Sequence, residues 1–400
     1  MSPKAIRGRT SKKRRVWRMG RVFNTTGVCV PEAHYMVNIE ERLTEIKKLV
    51  DDGKYFTINR ARQYGKTTTL MALSRFLQKD YYVASMDFQT FDDAKFENGN
   101  IFSIAFANSF LRQLKRSISL ITEPLKKACE TLSQSANSEN RFFSLKELFE
   151  EMGDICAASD KPIVLMIDEV DSATNNQVFI DFLAQLRAQY LKRFQQPALK
   201  SVILAGVYDI KNLRQKIRPE DEHKYNSPWN IAADFDIDMS FSKDDIAGML
   251  GEYEMDYHTG MNMREMAGWI YDYTSGYPFL VSRLCQLMDE KVIRECGSRE
   301  AAWTEEGFHA ALRMILSEKN TLFESLIGKL HAYPQLDKML RTILFTGKTF
   351  SYAADGSVID MAAMFGFVRN CQGNVAIANR IFETRLYNYY LSEYAQLQLQ

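Results

Sequence analysis

The sequence predicts an α/β fold in which a parallel sheet is followed by a helical region and then by a region of helices and a hairpin. Between residues 55 and 240, short apolar or β-branched runs alternate with stretches of helical periodicity, the pattern of parallel strands joined by crossover helices. From Ser242 to about Cys296 the apolar spacing is helical throughout, which predicts three helices. The 400 residues, 46% of them hydrophobic, suffice for two or three packed domains of roughly 150 residues each.

Five runs are predicted to form strands, and they cover residues 55–59, 81–87, 162–167, 201–206 and 235–240. In the fifth run, acidic residues at 234, 236 and 238 alternate with apolar residues at 235, 237 and 239, as in a half-buried strand. The fourth run is expected to lie beside the third in the sheet.

Helices between these strands are predicted from the spacing of their apolar residues. Leu70, Leu73 and Leu77 share one face after the first strand, and a second helix begins near Asn176. The polar stretch 133–140 is predicted to be a loop.

The C-terminal region has a different pattern. A helix over 336–345 is followed by a short strand, a helix over 359–365, and two short runs at 366–370 and 374–378. Cys371, Gln372 and Gly373 join the two runs as a hairpin turn. Helices followed by a hairpin in this order predict a winged helix.

Residues 60–68 lie between a predicted strand and a predicted helix and end in Gly-Lys-Thr-Thr, the context of a Walker A phosphate loop. Free backbone N–H groups at the start of the helix favour phosphate oxygens. Lys66 would reach the β- and γ-phosphates, and the Thr67 hydroxyl would bind Mg²⁺. The first glycine of the motif is replaced by Arg60. The residues assigned to ATP binding in this loop are Arg60, Ala61, Arg62, Gln63, Tyr64, Gly65, Lys66, Thr67 and Thr68.

An apolar run ending in Asp168 and Glu169 has the form of a Walker B strand. Its carboxylates would emerge at the carboxyl end of the parallel sheet, where ligands bind. Asp168 would hold Mg²⁺, and Glu169 would orient and deprotonate the attacking water. Glu169 and Lys66 are therefore the predicted catalytic residues. Tyr208 and Asp209, just after the fourth strand, are candidate sensors of the γ-phosphate.

Four segments together carry a family resemblance, and they cover residues 23–27, 34–37, 60–68 and 226–230. With them the chain resembles the AAA-like ATPase family of bacterial P-loop proteins, related to the archaeal ATPase and STAND groups of AAA+ proteins. The resemblance extends from about Met19 to the C-terminus, and the missing first glycine is normal in that family. It implies an AAA+-like P-loop NTPase with a parallel sheet core at 19–240, a helical lid domain at 241–300 and a C-terminal winged-helix domain at 301–400.

The resemblance also implies where the adenine would lie. Tyr35, Met36 and Val37 match the segment before the phosphate loop that approaches the base, and Pro278 belongs to the matching Gly-x-Pro of the lid. Arg283 in the following helix is a candidate sensor-2 residue. In the plain alternative, Gly276 and Pro278 merely end one helix and start the next.

The net charge of +1 conceals a cationic N-terminus. Residues 1–18 contain eight basic and no acidic residues, and the other 43 basic and 50 acidic residues give the rest a net charge of −7. Such a leader neutralises nucleic-acid phosphates in some proteins, but its composition favours a solvated, disordered segment. Since the resemblance begins at Met19, we also treat Met19 as a candidate start of the protein.

Charge gives limited support to DNA binding elsewhere. Residues 321–400 contain seven basic and six acidic residues, which is too balanced for strong phosphate neutralisation. A local basic stripe would need Lys348, Arg369, Arg380 and Arg385 to share one face.

The leading interpretation is an ATP- and Mg²⁺-dependent molecular switch that hydrolyses ATP slowly until a protein partner or a second copy completes the site. The alternative is a DNA-binding, initiator-like or mobile-element ATPase in which ATP sets conformation. A nucleotide-binding scaffold without turnover is a third interpretation, against which Glu169 argues. Scattered cysteines, no signal sequence and no apolar run of about 18 residues predict a cytoplasmic protein without membrane contact.

Overall fold

A computed structural model of the chain describes residues 20–118, 121–138, 142–207, 228–352 and 357–398. Four parallel strands form its main sheet in the order β1-β4-β3-β2. Their bounds are β1 Tyr55–Asn59, β2 Tyr82–Asp87, β3 Ile163–Asp168 and β4 Ser201–Gly206. Four predicted strands are thus confirmed to within one residue at each end, and β4 does lie beside β3.

Six helices accompany this sheet in the described chain up to residue 207: α1 Glu40–Asp51, α2 Lys66–Leu77, α3 Gly99–Ser117, α4 Glu123–Ala136, α5 Leu145–Ala158 and α6 Gln177–Lys192. Short 3₁₀ turns lie at Phe88–Thr90, Asp93–Phe96 and Val170–Ala173. The two predicted helices are confirmed as α2 and α6, with Leu70, Leu73 and Leu77 buried on one face of α2.

The sheet is covered on both faces. Val164 and Met166 of β3 pack into a hydrophobic cluster with α1 and α2, and Leu165 and Ile167 pack into a second cluster with α3 to α6. All six residues of β3 are buried, as expected for a central parallel strand. This burial places the last residue of β3, Asp168, at a rigid edge of the sheet.

The predicted fifth strand is wrong. Residues 235–240 do not form a strand, and the neighbouring Ala233 makes a single parallel bridge to Phe56. The ring of Phe235 stacks on that of Phe56 with centroids 5.8 Å apart. The carbonyl of Ile237 accepts a hydrogen bond from Arg60 Nη2 at 2.7 Å. Met239 is buried and Phe235 and Ile237 are partly buried, as expected for the apolar side of this run. The Ile237 carbonyl, however, bonds to a guanidinium and not to a neighbouring strand.

The predicted loop at 133–140 is also partly wrong, because α4 continues to Ala136. Ser135 Oγ donates to Glu151 Oε1 of α5 at 2.6 Å, and Leu132 and Ala136 are buried. Contacts between α4 and α5 thus extend the helix into a stretch whose composition is polar. Residues 139–141 lie outside the described part of the chain.

The described chain beyond residue 241 is mainly helical. Its elements are α7 Lys243–Tyr257, α8 Met263–Thr274, α9 Pro278–Leu287, α10 Glu305–Ser317, α11 Thr321–Ala332, α12 Pro334–Thr346, α13 Ser357–Met364, β5 Val368–Cys371, β6 Asn374–Ile377 and α14 Arg380–Gln398. A π-helical segment, Met288–Val292, extends α9 into Ile293–Cys296, and Arg299–Ala302 forms one further turn. In the described residues, no helix has an apolar stretch long enough to cross a membrane.

The three predicted helices after Ser242 and the C-terminal hairpin are confirmed. The hairpin turn is shorter than predicted, since Cys371 belongs to β5 and only Gln372 and Gly373, both with positive φ, form the turn. The predicted short strand does not form in the described residues between α12 and residue 352, where Ser351 makes one isolated bridge to Asn374.

A third hydrophobic cluster joins α7 to α14 with the chain before α1. Phe23 and Tyr35 lie in it beside Tyr253 of α7, and Trp303 packs against Phe23. The segment before α1 is therefore part of the packing of the C-terminal half. The domain division at 240 and 300 stays a prediction, and residues 1–19, which include the leader and Met19, lie outside the described chain.

Gly276 between α8 and α9 is expected to be indispensable for stability. Its φ is +73°, and a Cβ there would lie 2.0 Å from the carbonyl oxygen of Phe241. We expect Gly276→Ala to lower the free energy of unfolding by roughly 3 kcal/mol, because the clash adds to backbone strain. Gly268→Ala is the matched control, since a Cβ at Gly268 in α8 meets nothing within 4 Å. Equal urea midpoints for the two variants would contradict the prediction.

Candidate functional site

The loop between β1 and α2 is shaped by two left-handed residues. Gln63 has φ +57° and Gly65, immediately before α2, has φ +80°. These conformations turn the chain so that α2 begins at Lys66, at the carboxyl edge of the sheet. The backbone N–H groups of the first turn of α2 have no partner within the helix and suit an anion. The loop therefore has the local geometry that its sequence predicts.

Lys66 is held by the loop itself. Its side chain is buried, and Nζ donates to the carbonyl oxygens of Arg60 at 3.0 Å and Ala61 at 3.2 Å. Burial lowers the pKa of Lys66, and the nearby carboxylates of Glu169 and Asp168 oppose that shift. The ammonium group thus lies inside the loop, facing carboxylates, where phosphate oxygens would be its natural partners.

Arg60 replaces the expected glycine and has a structural role. Its guanidinium donates to the carbonyls of Asn59 at 2.8 Å and Ile237 at 2.7 Å, and its Cζ lies 5.3 Å from the centroid of the Phe235 ring. Burial lowers the pKa of Arg60. The side chain therefore ties the start of the loop to the edge segment at 235–237.

The carboxylates after β3 meet the start of α2. Asp168 is 7% exposed and accepts hydrogen bonds from the side chain of Thr67 and from the N–H of Glu169, the latter at 2.9 Å. Burial raises the pKa of Asp168, and these hydrogen bonds oppose the rise. The two residues predicted to bind Mg²⁺ are thus brought into direct contact.

Glu169 occupies a left-handed conformation, with φ +52°. Burial raises the pKa of its carboxyl group, Lys66 opposes the rise, and the carboxylates of Asp168, Asp171 and Asp87 add to it. A raised pKa favours proton uptake, which is what a general base requires. The left-handed turn aims the chain from Glu169 toward the short helix at Val170–Ala173.

A cavity of about 700 Å³ lies on this side of the loop, and we call it the phosphate-side cavity. It brings together Lys66 and Glu169, the two predicted catalytic residues. Its described lining is Arg62, Gln63, Lys66, Gln89, Glu169, Asp171, Ser172, Val207, Thr321, Leu322, Ser325, Leu326, Lys329 and Phe365.

A second cavity of about 580 Å³, the base-side cavity, lies on the other side of the loop. Among the residues lining it are Tyr35, Met36, Val37 and Pro278, the four residues that the family resemblance places near adenine. Gln63 and Thr321 line both cavities, and Gln63 Nε2 donates to Thr321 Oγ1 at 3.1 Å. The two cavities therefore meet where α11 contacts the loop.

Arg283 lines the base-side cavity and does not line the phosphate-side one. It forms an ion pair with Glu318 at 2.6 Å and also donates to Gln286 Oε1 at 2.7 Å. The guanidinium thus links α9 to the chain before α11. Tyr208 and Asp209, the other sensor candidates, lie outside the described residues.

Sequence reasoning missed several residues of the phosphate-side cavity. Asp171 accepts from the N–H of Val207 at 2.6 Å, tying the turn after β3 to the end of β4. Its position in the acidic run after β3 is the sequence signal that would have identified it as a residue of the site. Thr321, Ser325 and Lys329 come from α11, some 150 residues after Glu169. Only the tertiary fold brings that helix to the site.

The charge stripe considered for DNA is incomplete. Arg385 Nη1 donates to the carbonyl of Leu316 at 2.7 Å, and its Cζ lies 4.2 Å from the centroid of the Phe323 ring. Lys348, Arg369 and Arg380 are exposed. Arg385 is thus turned into the protein and is not available to a shared basic face.

The site offers oxygen ligands that suit a cation such as Mg²⁺. Two buried oxygens of the loop region, Asn59 Oδ1 and Gln63 Oε1, have no hydrogen-bond partner among the described residues. Within the same ranges, no group of three or more His, Cys, Asp or Glu side chains is arranged to hold a metal alone. Mg²⁺ usually binds one or two protein oxygens together with phosphates and water, and the pair Thr67 and Asp168 fits that pattern.

Comparison with known proteins agrees with this geometry. The sequence model of the AAA-like domain family matches residues 30–392. A Walker-type ATPase of Pyrococcus abyssi has a similar structure, with a TM-score of 0.56 and 15% identity, over 91% of this chain and 99% of that one. Among curated proteins, no match to the sequence was found.

Two archaeal structures are similar at lower scores. The Cdc6 protein of Pyrobaculum aerophilum has a TM-score of 0.41 and 12% identity, over 93% of this chain and 97% of its own. The ORC2 protein of Aeropyrum pernix has a TM-score of 0.43 and 12% identity, over 89% and 93%. Because the family model matches most of the sequence, this chain belongs to the AAA-like domain family.

Proposed function

We propose that this protein is a slow ATP-hydrolysing molecular switch, in which the phosphate loop passes its nucleotide state to a helical lid and a C-terminal winged helix. The observation that carries the proposal is direct contact between the loop and three distant segments. Tyr277 Oη donates to the carbonyl of Arg62, Gln63 donates to Thr321, and a Cβ on Gly366 would lie 2.8 Å from Ala61 Cβ. A ligand in this loop must therefore act on all three segments.

The residues of the loop supply binding. Lys66 would exchange the carbonyls of Arg60 and Ala61 for β- and γ-phosphate oxygens, which form stronger, charge-assisted hydrogen bonds. Tyr35, Met36, Val37 and Pro278 would hold the adenine in the base-side cavity. Mg²⁺, held by Thr67 and Asp168, would neutralise charge on the phosphates.

Glu169 would orient the attacking water in the phosphate-side cavity and accept its proton. The raised pKa of Glu169 suits this role. Arg283, the sensor-2 candidate, is paired with Glu318 on the other side of the loop. We therefore propose slow turnover until a protein partner or a second copy contributes a further group. DNA binding stays the alternative, and it is favoured if the full chain is retained on duplex DNA with a steep salt dependence.

Hydrogen–deuterium exchange on the full chain tests the switch. Adding ATP and Mg²⁺ should slow amide exchange in α2 and also in α9 and α11, because the loop contacts Tyr277 immediately before α9 and Thr321 of α11. The control is α4, which lies behind the sheet and lines neither cavity. If ATP binds but changes exchange in α2 alone, the protein has a nucleotide site but not the proposed switch.

A further inference from the structure

Helix α11 presents a polar stripe to the phosphate-side cavity. Thr321, Ser325 and Lys329 are spaced four residues apart, so they lie on one face of the helix, and all three line the cavity. Leu322 and Leu326 of the same helix are buried in the third hydrophobic cluster. The helix is thus anchored in the C-terminal half while Thr321, Ser325 and Lys329 line the cavity beside the loop.

The opposite wall of this cavity is the reaction site. It contains Lys66 and Arg62 from the phosphate loop, and Glu169 and Asp171 from the turn after β3. A phosphate bound by Lys66 beside Glu169 would carry its outermost oxygens into the space that α11 borders. Of the described cations that line this space, Lys329 is the one contributed from beyond residue 207.

The side chain of Lys329 is partly ordered by its surroundings. Its Nζ lies 4.6 Å from the centroid of the Phe365 ring, and Phe365 is itself 5% exposed and lines the same cavity. Such a contact limits the rotamers of a long side chain and reduces the entropy lost when the ammonium binds an anion. Arg283, in contrast, faces the base-side cavity and is paired with Glu318.

Resting on the proposed function, we infer that Lys329 donates a hydrogen bond to the terminal phosphate of bound ATP, and that Thr321 and Ser325 support it from the same helix face. ADP lacks that phosphate. Lys329 would then distinguish ATP from ADP and would transmit the difference to α11. The residue senses nucleotide state within the same chain, from a helix that sequence motifs do not mark.

The test measures the affinity of the full chain for two nucleotides with Mg²⁺: ADP and a non-hydrolysable β,γ-imido analogue of ATP. Lys329→Ala should weaken binding of the ATP analogue by about tenfold or more, as expected for a lost charge-assisted hydrogen bond. Its affinity for ADP should stay within about twofold of the wild type. Lys329→Arg should recover most of the lost affinity, because it restores a cationic donor.

Lys338→Ala is the matched control, since Lys338 is exposed on the next helix, α12, and lines neither cavity. Thermal unfolding of each variant checks folding. Equal loss of affinity for both nucleotides, or wild-type affinity for both, would overturn the role of Lys329. If Lys66→Ala also binds as tightly as the wild type, the proposed ATP site fails as well. If only Lys66→Ala binds weakly, the proposed ATP site stands and only the role of Lys329 fails.

Discussion

Lys66→Ala is expected to weaken ATP binding by roughly tenfold to a hundredfold, the effect of removing charge-assisted hydrogen bonds to phosphate. Lys66, at the start of α2, is only 7% exposed, and its ammonium already lies within hydrogen-bond distance of two loop carbonyls. Alanine preserves the helix but removes the only part of the side chain that reaches a phosphate. Calorimetric titration with ATP and Mg²⁺ measures the loss.

Lys79→Ala is the control for this change, because Lys79 is exposed just after α2 and lines neither cavity. It removes the same charge without touching the loop and should leave ATP affinity unaltered. Thermal unfolding should show both variants folded. ATP affinity equal to the wild type in the Lys66 variant would rule out this loop as the phosphate site.

Glu169→Gln should reduce ATP turnover by roughly a hundredfold to ten-thousandfold while leaving ATP affinity within about threefold of the wild type. Glutamine has nearly the same shape, but its amide does not accept a proton from the attacking water. The carboxyl of Glu169 faces the phosphate-side cavity together with Lys66, and burial raises its pKa. Phosphate release under saturating ATP gives the rate.

Glu130→Gln provides the matched change on α4, at an exposed position away from the site. It should hydrolyse ATP at the wild-type rate. A Glu169 variant that retains turnover would assign the base to another carboxylate, for which Asp171 is the candidate among the described residues that line the same cavity. Wild-type protein that binds ATP without measurable turnover would instead favour the scaffold interpretation.

Local patterns predicted the sheet well because its strands are short, apolar and buried on both faces. The runs of β1 and β4 were predicted to the residue, and those of β2 and β3 to within one residue at each end. The fifth run failed for a reason that alternation does not reveal. Its apolar side chains are packed against the sheet, yet the Ile237 carbonyl is taken by Arg60 from another segment. At this edge of the sheet, apolar side chains are therefore packed although the backbone does not pair with a strand.

The C-terminal half shows a similar division. Helical spacing predicted α7, α8, α9, α12 and α13, and the turn residues Gln372 and Gly373 predicted the hairpin, since each depends on neighbours in sequence. Helices α10, α11 and α14 were not predicted. The contact of Gly366 with Ala61, and the bond from Tyr277 to Arg62, depend on how the halves pack. No local pattern encodes such contacts.

The sequence by itself determined the phosphate loop, the carboxylates after β3 and the positions of the four sheet strands, because these follow from residue type and spacing within one or two elements. The tertiary structure alone decided which distant groups complete the site. It paired Arg283 with Glu318, used Arg60 to brace the edge of the sheet, and brought Lys329 to the cavity that Glu169 also lines. The placement of Arg283 and Lys329 depends on the burial of a hydrophobic cluster that spans α7 to α14, and that burial is a property of the whole chain.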